Sequence, residues 1–304
     1  MHDHHHPHSH THAHPEHDGV ARLRLAFLLT AGFMLVEVVG GLWSGSLALL
    51  ADAGHMLTDA MALALALWAQ VQSRRPPDPL RSYGYHRMPV LVAFVNGLAL
   101  LLIVGWIGFE AVQRLLAPPQ IVAGTMLAVA IAGLIVNLLA FAVLRSGRDH
   151  DMNVRGAFLH VLGDLLGSVA AIVASVVILI SGWTLIDPLL SLLVALLILR
   201  SAAQLVRESA HVLLEGTPQG FDVASFAHSL PAAVAGVRSV HHVHHWMLTP
   251  ERSVMTLHAV LAEGAEDDRV VREIKSWVHA HHRVRHVTVQ TERASCPDEQ
   301  HGHP

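Results

Sequence analysis

Six apolar stretches, at 22–43, 47–72, 89–113, 121–144, 153–181 and 184–208, govern what this chain can fold into. Each is about long enough to cross a bilayer as a helix, which takes roughly 20 residues. Backbone polar groups in hydrocarbon must be satisfied within the segment itself, so the pattern predicts six transmembrane helices. Only 14% of residues are charged, against about 25% in soluble domains. That disfavours an ordinary soluble enzyme. The connections at Ser44–Ser46 and Ser181–Trp183 are so short that the flanking helices are expected to be antiparallel neighbours. Arg22, Arg24, Arg74, Arg75, Arg81, Arg87, Arg145, Arg148, Arg155 and Arg207 fall on one side of such a bundle, and only Arg114 on the other. By the positive-inside rule both termini face the cytoplasm, which predicts a multi-pass protein of the cytoplasmic membrane.

The 26 histidines divide along the same lines: nine in the first 17 residues, four between Gly19 and Ser209, and thirteen from His211 onward. Residues 1–18 are polar, low in complexity and interrupted by Pro7 and Pro15, and are expected to form a disordered tail. The tail lacks the features of a signal peptide. Its histidines alternate with Asp, Ser, Thr, Ala and Pro instead of forming one run, which favours a native metal-gathering segment over an expression tag. Residues 19–210 are expected to form the six-helix domain, 211–294 a cytoplasmic domain and 295–304 a polar tail. Within 211–294 the periodicity predicts a helix over Phe221–Ala232, strands over Val240–Leu248 and Val254–Leu261, a helix over Asp267–His281 and a strand over His286–Glu292. The fold class expected is therefore a helical membrane domain followed by a small α+β domain of αββαβ, ferredoxin-like order. The single cysteine, Cys296, excludes a disulfide framework and a multi-cysteine cage within one chain. A formal net charge of −4 gives no reason to invoke nucleic acid.

In so apolar a middle, each ionisable residue needs a reason. The second stretch contains LADAGHMLTDA, with His55 and Asp59 four residues apart. The fifth contains RGAFLHVLGDLLGS, with His160 and Asp164 at the same spacing. Residues at i and i+4 share a helix face, about 6 Å apart along the axis. Two such pairs facing each other supply two imidazole nitrogens and two carboxylates, a tetrahedral shell for a borderline cation such as Zn²⁺. An aspartate at mid-membrane costs roughly 2.5–3.5 kcal/mol, so twice pairing one with histidine points to a shared metal more than to helix packing or a metal-free proton relay. Asp52 lies three residues before His55 and is expected to orient it or to belong to a proton path; a packing carboxylate is the alternative. Asn96, Glu110 and Asn137 are expected to serve packing and hydrogen bonding.

SGSLALLADAGHMLTDA, SYGYHRMPVLVAFVNG, VRGAFLHVLGDLLGSVA, HVLLEGTP and VTVQTE occur in that order between Arg22 and Glu292. In these motifs the chain resembles the cation diffusion facilitator family, specifically its zinc-transporting branch. The resemblance implies a homodimer with six transmembrane helices and a cytoplasmic domain per protomer, exporting divalent metal in exchange for protons. It implies that His55, Asp59, His160 and Asp164 are the transport site. It also implies a charge interlock between Arg87 and Glu215, and a cytoplasmic metal position held by His241, His258 and Glu292. Gln290 stands where relatives with a binuclear site carry histidine, so one regulatory Zn²⁺ is expected there, with His244, His286 and Cys296 as alternative ligands. A loop site of the family looks lost: Asp78 remains, but Arg81 and Tyr85 occupy its histidine positions.

The chemistry agrees with that family. Zinc ligands bind deprotonated, so loading releases protons and protonation expels metal. Imidazole titrates in the physiological range. A His₂Asp₂ shell favours Zn²⁺, with Cd²⁺ or Co²⁺ as further passengers. No organic cofactor and no ATP-coupling motif is evident, which leaves secondary antiport with Zn²⁺, H⁺ and the lipid bilayer as partners. Two rivals stay open: a membrane-anchored metal sensor or buffer that does not transport, and an intramembrane metal-dependent hydrolase. The hydrolase would want an HExxH-like base beside an open coordination position, which the sequence does not contain.

Overall fold

A computed structural model of the chain describes residues 15–44, 47–117, 123–145, 152–293 and 296. The side chains of residues 15–18, 37, 40–44, 47–55, 58, 125 and 153 are outside that description. Six long helices come first: α1 (Pro15–Ser44), α2 (Leu47–Gln72), α3 (Met88–Leu116), α4 (Ala123–Arg145), α5 (Met152–Ser181) and α6 (Ile186–Leu213). A smaller set follows, α7 (Val223–Ala233), β1 (Val237–Thr249), β2 (Arg252–Leu261), α8 (Asp267–His282) and β3 (His286–Glu292). The chain divides into two compact units between Val206 and Arg207. The observed order, six helices and then αββαβ, is the one the apolar and alternating patterns predict.

Element ends differ from the sequence expectation where local chemistry allows it. Helix α1 begins at Pro15, inside the stretch expected to be a tail. Proline has no N–H to lose in a first turn, and its fixed φ suits a helix start. The expected tails at residues 1–14 and 297–304 lie outside the described residues. Helix α6 continues past 208 to Leu213, with Asp187 in its first turn and His211 in its last. The acidic side chain at the start complements the helix dipole.

Five helices are long and apolar enough among the described residues to cross a bilayer: those containing Gly19–Val36, Met88–Leu116, Met126–Arg145, Val154–Ser181 and Ile186–Leu213. At 26 residues, α2 extends about 39 Å and can be the sixth. Large apolar side chains cover the outward faces, among them Leu102, Trp106, Ile180 and Leu196, each more than half exposed. So much apolar surface is stable against lipid, not water. The inward faces instead use small residues. Ala26, Ala66, Ala93, Ala140 and Ala202 are fully buried and let the backbones approach. Helix α5 packs against α1, α2, α3 and α4, and α1 packs against α2 as their short connection requires. On the α6 side, Gly163 faces Ile198 and Gly156 faces Leu205. As the first number falls the second rises, so α5 and α6 are antiparallel. A Cβ on Gly97 would stand 2.8 Å from Val206 Cγ2, so α3 and α6 meet where only glycine fits.

In the second unit β2 is central, antiparallel to β1 and parallel to β3. One sheet face buries Met255, Leu257, Ala259 and Leu261 with Phe226 and Leu230 of α7 and Val270, Ile274 and Val278 of α8. The α8 residues recur every four positions, a single apolar stripe. His245 is buried among these helices, donates or accepts through Nε2 with Ser253 Oγ at 3.0 Å, and meets the Phe221 ring edge-on at 4.5 Å. Burial, and after it the neighbouring His282, pushes the His245 imidazole down to about 4.

Two outcomes are expected. Gly236 turns into β1 at φ +97°, and an added Cβ would lie 3.2 Å from Ala265 and Val270 side-chain carbons. Gly236→Ala is therefore expected to destabilise this unit by about 1–3 kcal/mol, read as a lowered melting temperature. The neutral form of His245 is favoured in the fold, so the unfolded chain binds more protons between about pH 6.5 and 4. Stability is present above pH 6.5 and falls as pH drops through that window, by on the order of 2 kcal/mol after solvent screening. His245→Gln, which keeps a partner for Ser253, is expected to flatten this part of the melting-temperature profile between pH 7 and 4.5.

Candidate metal centres

The contact between α2 and α5 places Asp59 beside the His160 and Asp164 pair. The i, i+4 spacing on α5 sets His160 Nε2 3.9 Å from Asp164 Oδ2. Across the helix interface the same nitrogen lies 2.7 Å from Asp59 Oδ1 and donates to it. Asp59 is 6% exposed, so that bond works in a largely water-free setting. Asp59, His160 and Asp164 can each turn one ligand atom within 4.8 Å of the others. His55 lies one turn before Asp59 on α2, and Asp52 one turn further; both side chains lie outside the described residues. The three described groups line a cavity of about 420 Å³ between α2, α3, α4, α5 and α6.

Asp187 lines that same cavity, and the sequence reading missed it. Its position at a helix start reads as a cap in sequence. Its carboxylate is nonetheless buried and accepts from Arg114 at 3.4 Å, while Arg114 also donates to Glu110 at 2.9 Å. Glu110 thus serves an ion pair, and the cation of the sparsely charged side of the bundle is engaged by two carboxylates. Asn137 also lines the cavity, and Asn96 is buried on α3.

The second cluster lies in the α+β unit. His241 on β1 and His258 on β2 are direct register partners, and Gln290 of β3 is the partner of His258 on its other side. Glu292 Oε1 lies 2.9 Å from His258 Nδ1, and its Oε2 lies 3.2 Å from His241 Nε2. The sequence-derived trio is therefore brought together. Two further residues join it: Cys296 Sγ lies 3.5 Å from His258 Nδ1 and 3.9 Å from His242 Nδ1. Burial works to raise the Glu292 carboxyl, but the Cys296 hydrogen bond, His241, Gln290 and His258 together hold it below the usual carboxylate range. His286 stands opposite Val254 at the far end of β3, and His244 is paired with Thr256 beyond a register shift in β1.

Between α2 and α3, Asp78 is occupied without metal. Tyr85 donates its hydroxyl to Asp78 Oδ2 at 2.7 Å, and Leu80 and Arg81 donate their backbone N–H groups to Oδ1. The Tyr85 hydrogen bond is the chief influence holding Asp78 below the ordinary carboxylate range. Arg87 precedes α3 with φ −81°, and Glu215 follows α6 in the left-handed region at φ 61°. They belong to different units.

These features coincide with known proteins over nearly the whole chain. The cation efflux transmembrane domain matches residues 23–214, and the cation efflux protein cytoplasmic domain matches residues 223–294. The zinc transporter ZitB of Escherichia coli (strain K12) is 49% identical over 283 residues, covering 93% of this chain and 90% of the relative. The metal cation efflux system protein CzcD of Cupriavidus metallidurans is 40% identical, covering 90% and 87%. The cadmium, cobalt and zinc/H(+)-K(+) antiporter of Bacillus subtilis is 38% identical, covering 89% and 88%. Two domain matches in the right order, the first spanning Asp59, His160 and Asp164 and the second His241, His258 and Glu292, leave one assignment: the chain is a multi-pass membrane protein of the cation efflux, or cation diffusion facilitator, family.

Proposed function

We propose that this protein is a proton-coupled antiporter that exports Zn²⁺, with Cd²⁺ and Co²⁺ as further cargo, by alternating exposure of a site made of His55, Asp59, His160 and Asp164. It is a transporter and not an enzyme. The observation that carries the reading is the hydrogen bond from His160 Nε2 to Asp59 across α2 and α5. The proton of that bond occupies the lone pair a metal needs. An arriving cation must displace it, and a returning proton must displace the cation, so exchange is built into one nitrogen atom. The relatives' names, zinc transporter and cadmium, cobalt and zinc antiporter, support the same cargo.

In this reading the protein acts as a homodimer in the cytoplasmic membrane, with both termini in the cytoplasm, and its bilayer contacts are the apolar outer faces of the helices. His241, His258 and Glu292 hold a regulatory Zn²⁺ in the cytoplasmic domain. Arg87 and Glu215 form a charge interlock, and Asp52 orients His55 or conducts protons. The His-rich N-terminal tail gathers metal near the cytoplasmic mouth and does not set selectivity.

Uptake of Zn²⁺ into proteoliposomes under an imposed pH gradient tests the core. Asp59→Asn and Asp164→Asn each remove one anionic ligand with little change in volume, and each is expected to lower transport by at least 100-fold with normal insertion. Transport by both variants at the parental rate would overturn the assignment.

A further inference from the structure

Helices α3 and α6 touch at one end and part at the other. A Cβ on Gly97 would stand 2.8 Å from Val206 Cγ2 and 3.5 Å from Leu205 Cδ2, so the two helices are in close contact there. Part-way along, Val104 of α3 packs with Ala195 and Ile198 of α6. Toward the start of α6 the cavity of about 420 Å³ comes between them, lined by Ile103 and Ile107 of α3 and by Asp187, Ser191 and Val194 of α6. At 1.5 Å per residue, Asp187 stands about 28 Å along α6 from Val206, and Arg114 about 26 Å along α3 from Gly97. These nearly equal arms bring the two far ends level. There the long side chain of Arg114 spans what the backbones do not, and its Nη1 donates to Asp187 Oδ2 at 3.4 Å.

The pair lies across a boundary. The Asp187 side chain is 12% exposed and that of Arg114 42% exposed, so the guanidinium stands at the rim and points its charge inward. Glu110, one turn before Arg114, accepts from Nε at 2.9 Å and ties the guanidinium to α3, leaving Nη1 for α6. Loss of Asp187 therefore leaves the cation answered by Glu110.

We propose that Arg114 and Asp187 form a clamp that keeps α6 on α3 at the wide end of the cavity, and that the coupling of Zn²⁺ to H⁺ depends on it. The inference rests on the reading of this cavity as the transport route. Asp187 stands about 16 Å along α6 from Ile198, the residue that faces Gly163 next to Asp164. It is therefore too far away to share a cation with His160 and Asp164, and it acts as a positioning residue. What the clamp governs is water. With the wall held, His160 exchanges its proton only as cargo comes and goes. With α6 released, water enters past Ser191 and protons exchange at His160 without cargo.

Ser191 lies one turn from Asp187 on the same wall. The chain has one cysteine, so Cys296→Ser with Ser191→Cys leaves a single thiol, in the cavity. The rate at which a charged maleimide labels it in purified full-length protein reads the clamp. Asp187→Asn in this background is expected to speed labelling about fivefold and to abolish the acceleration that high salt produces while the ion pair is present. Arg114→Gln is expected to do the same, and the two together no more than either alone, whereas independent packing effects would multiply. Arg114→Lys keeps the charge and is expected to stay within about twofold of the background rate. In proteoliposomes without Zn²⁺, Asp187→Asn alone is expected to raise proton flux about fivefold, while Zn²⁺ binding at the transport site stays within about twofold of the parent. Labelling of the Asp187→Asn protein at the background rate would overturn the clamp. Faster labelling without added proton flux would overturn its part in coupling. Faster labelling in a protein whose parent moves no Zn²⁺ would overturn the transport reading and leave the clamp standing.

Discussion

The hydrogen bond between His160 and Asp59 joins α2 to α5 at a polar site inside the helix bundle. Neither group is affordable alone in hydrocarbon, and together they stay costly unless both helices hold their depth and rotation. Asp59 fixes which face of α2 turns inward, and the i, i+4 spacing then brings Asp164 to the same point from α5. The surrounding architecture follows from this demand. Fully buried alanines let α5 lie against its neighbours, and glycines at 97, 156 and 163 let α6 close the cavity's remaining side. Polar specificity and small-residue packing are thus two halves of one arrangement.

The α+β unit gathers its donors by a different route. A three-stranded sheet offers rigid positions, and cross-strand pairing alone brings His241, His258 and Glu292 within reach. It cannot bring adjacent residues of one strand to one face. The register shift between His241 and His244 on β1 does so, with His242 in the left-handed region at φ 48° beside the cluster. The cavity of the helix bundle uses helix periodicity, and the cluster of the α+β unit uses strand register plus one interruption of it.

What was legible in sequence follows this division. The six long helices, the αββαβ order and the pairing of His160 with Asp164 come from periodicities that survive folding unchanged. The bounds of β3 at His286 and Glu292 were readable because alternation and flanking polar residues coincide. The place of His242 beside His241 and His258 was not, since strict alternation assigns it to the face opposite His241 and nothing in HHVHH marks an extra residue. Asp187 was hidden for another reason. An acidic residue in a first helical turn is already explained by the dipole, and only the packing of α3 against α6 reveals Arg114 beside it. Helix α1 begins earlier than composition suggests, because proline tolerance at a first turn is positional and a low-complexity reading ignores position.

The ion pair between Arg114 and Asp187 has a consequence for charge inside the cavity. Among the described residues, three carboxylates line that space, those of Asp59, Asp164 and Asp187. The Arg114 guanidinium answers Asp187 and Glu110, while Asp59 and Asp164 both meet His160. In a medium of low dielectric, a carboxylate with a cationic partner beside it costs far less than one without. Arg114 therefore divides the carboxylates described around this cavity into two sets, Asp187 answered by a guanidinium from another helix, and Asp59 and Asp164 gathered on one imidazole.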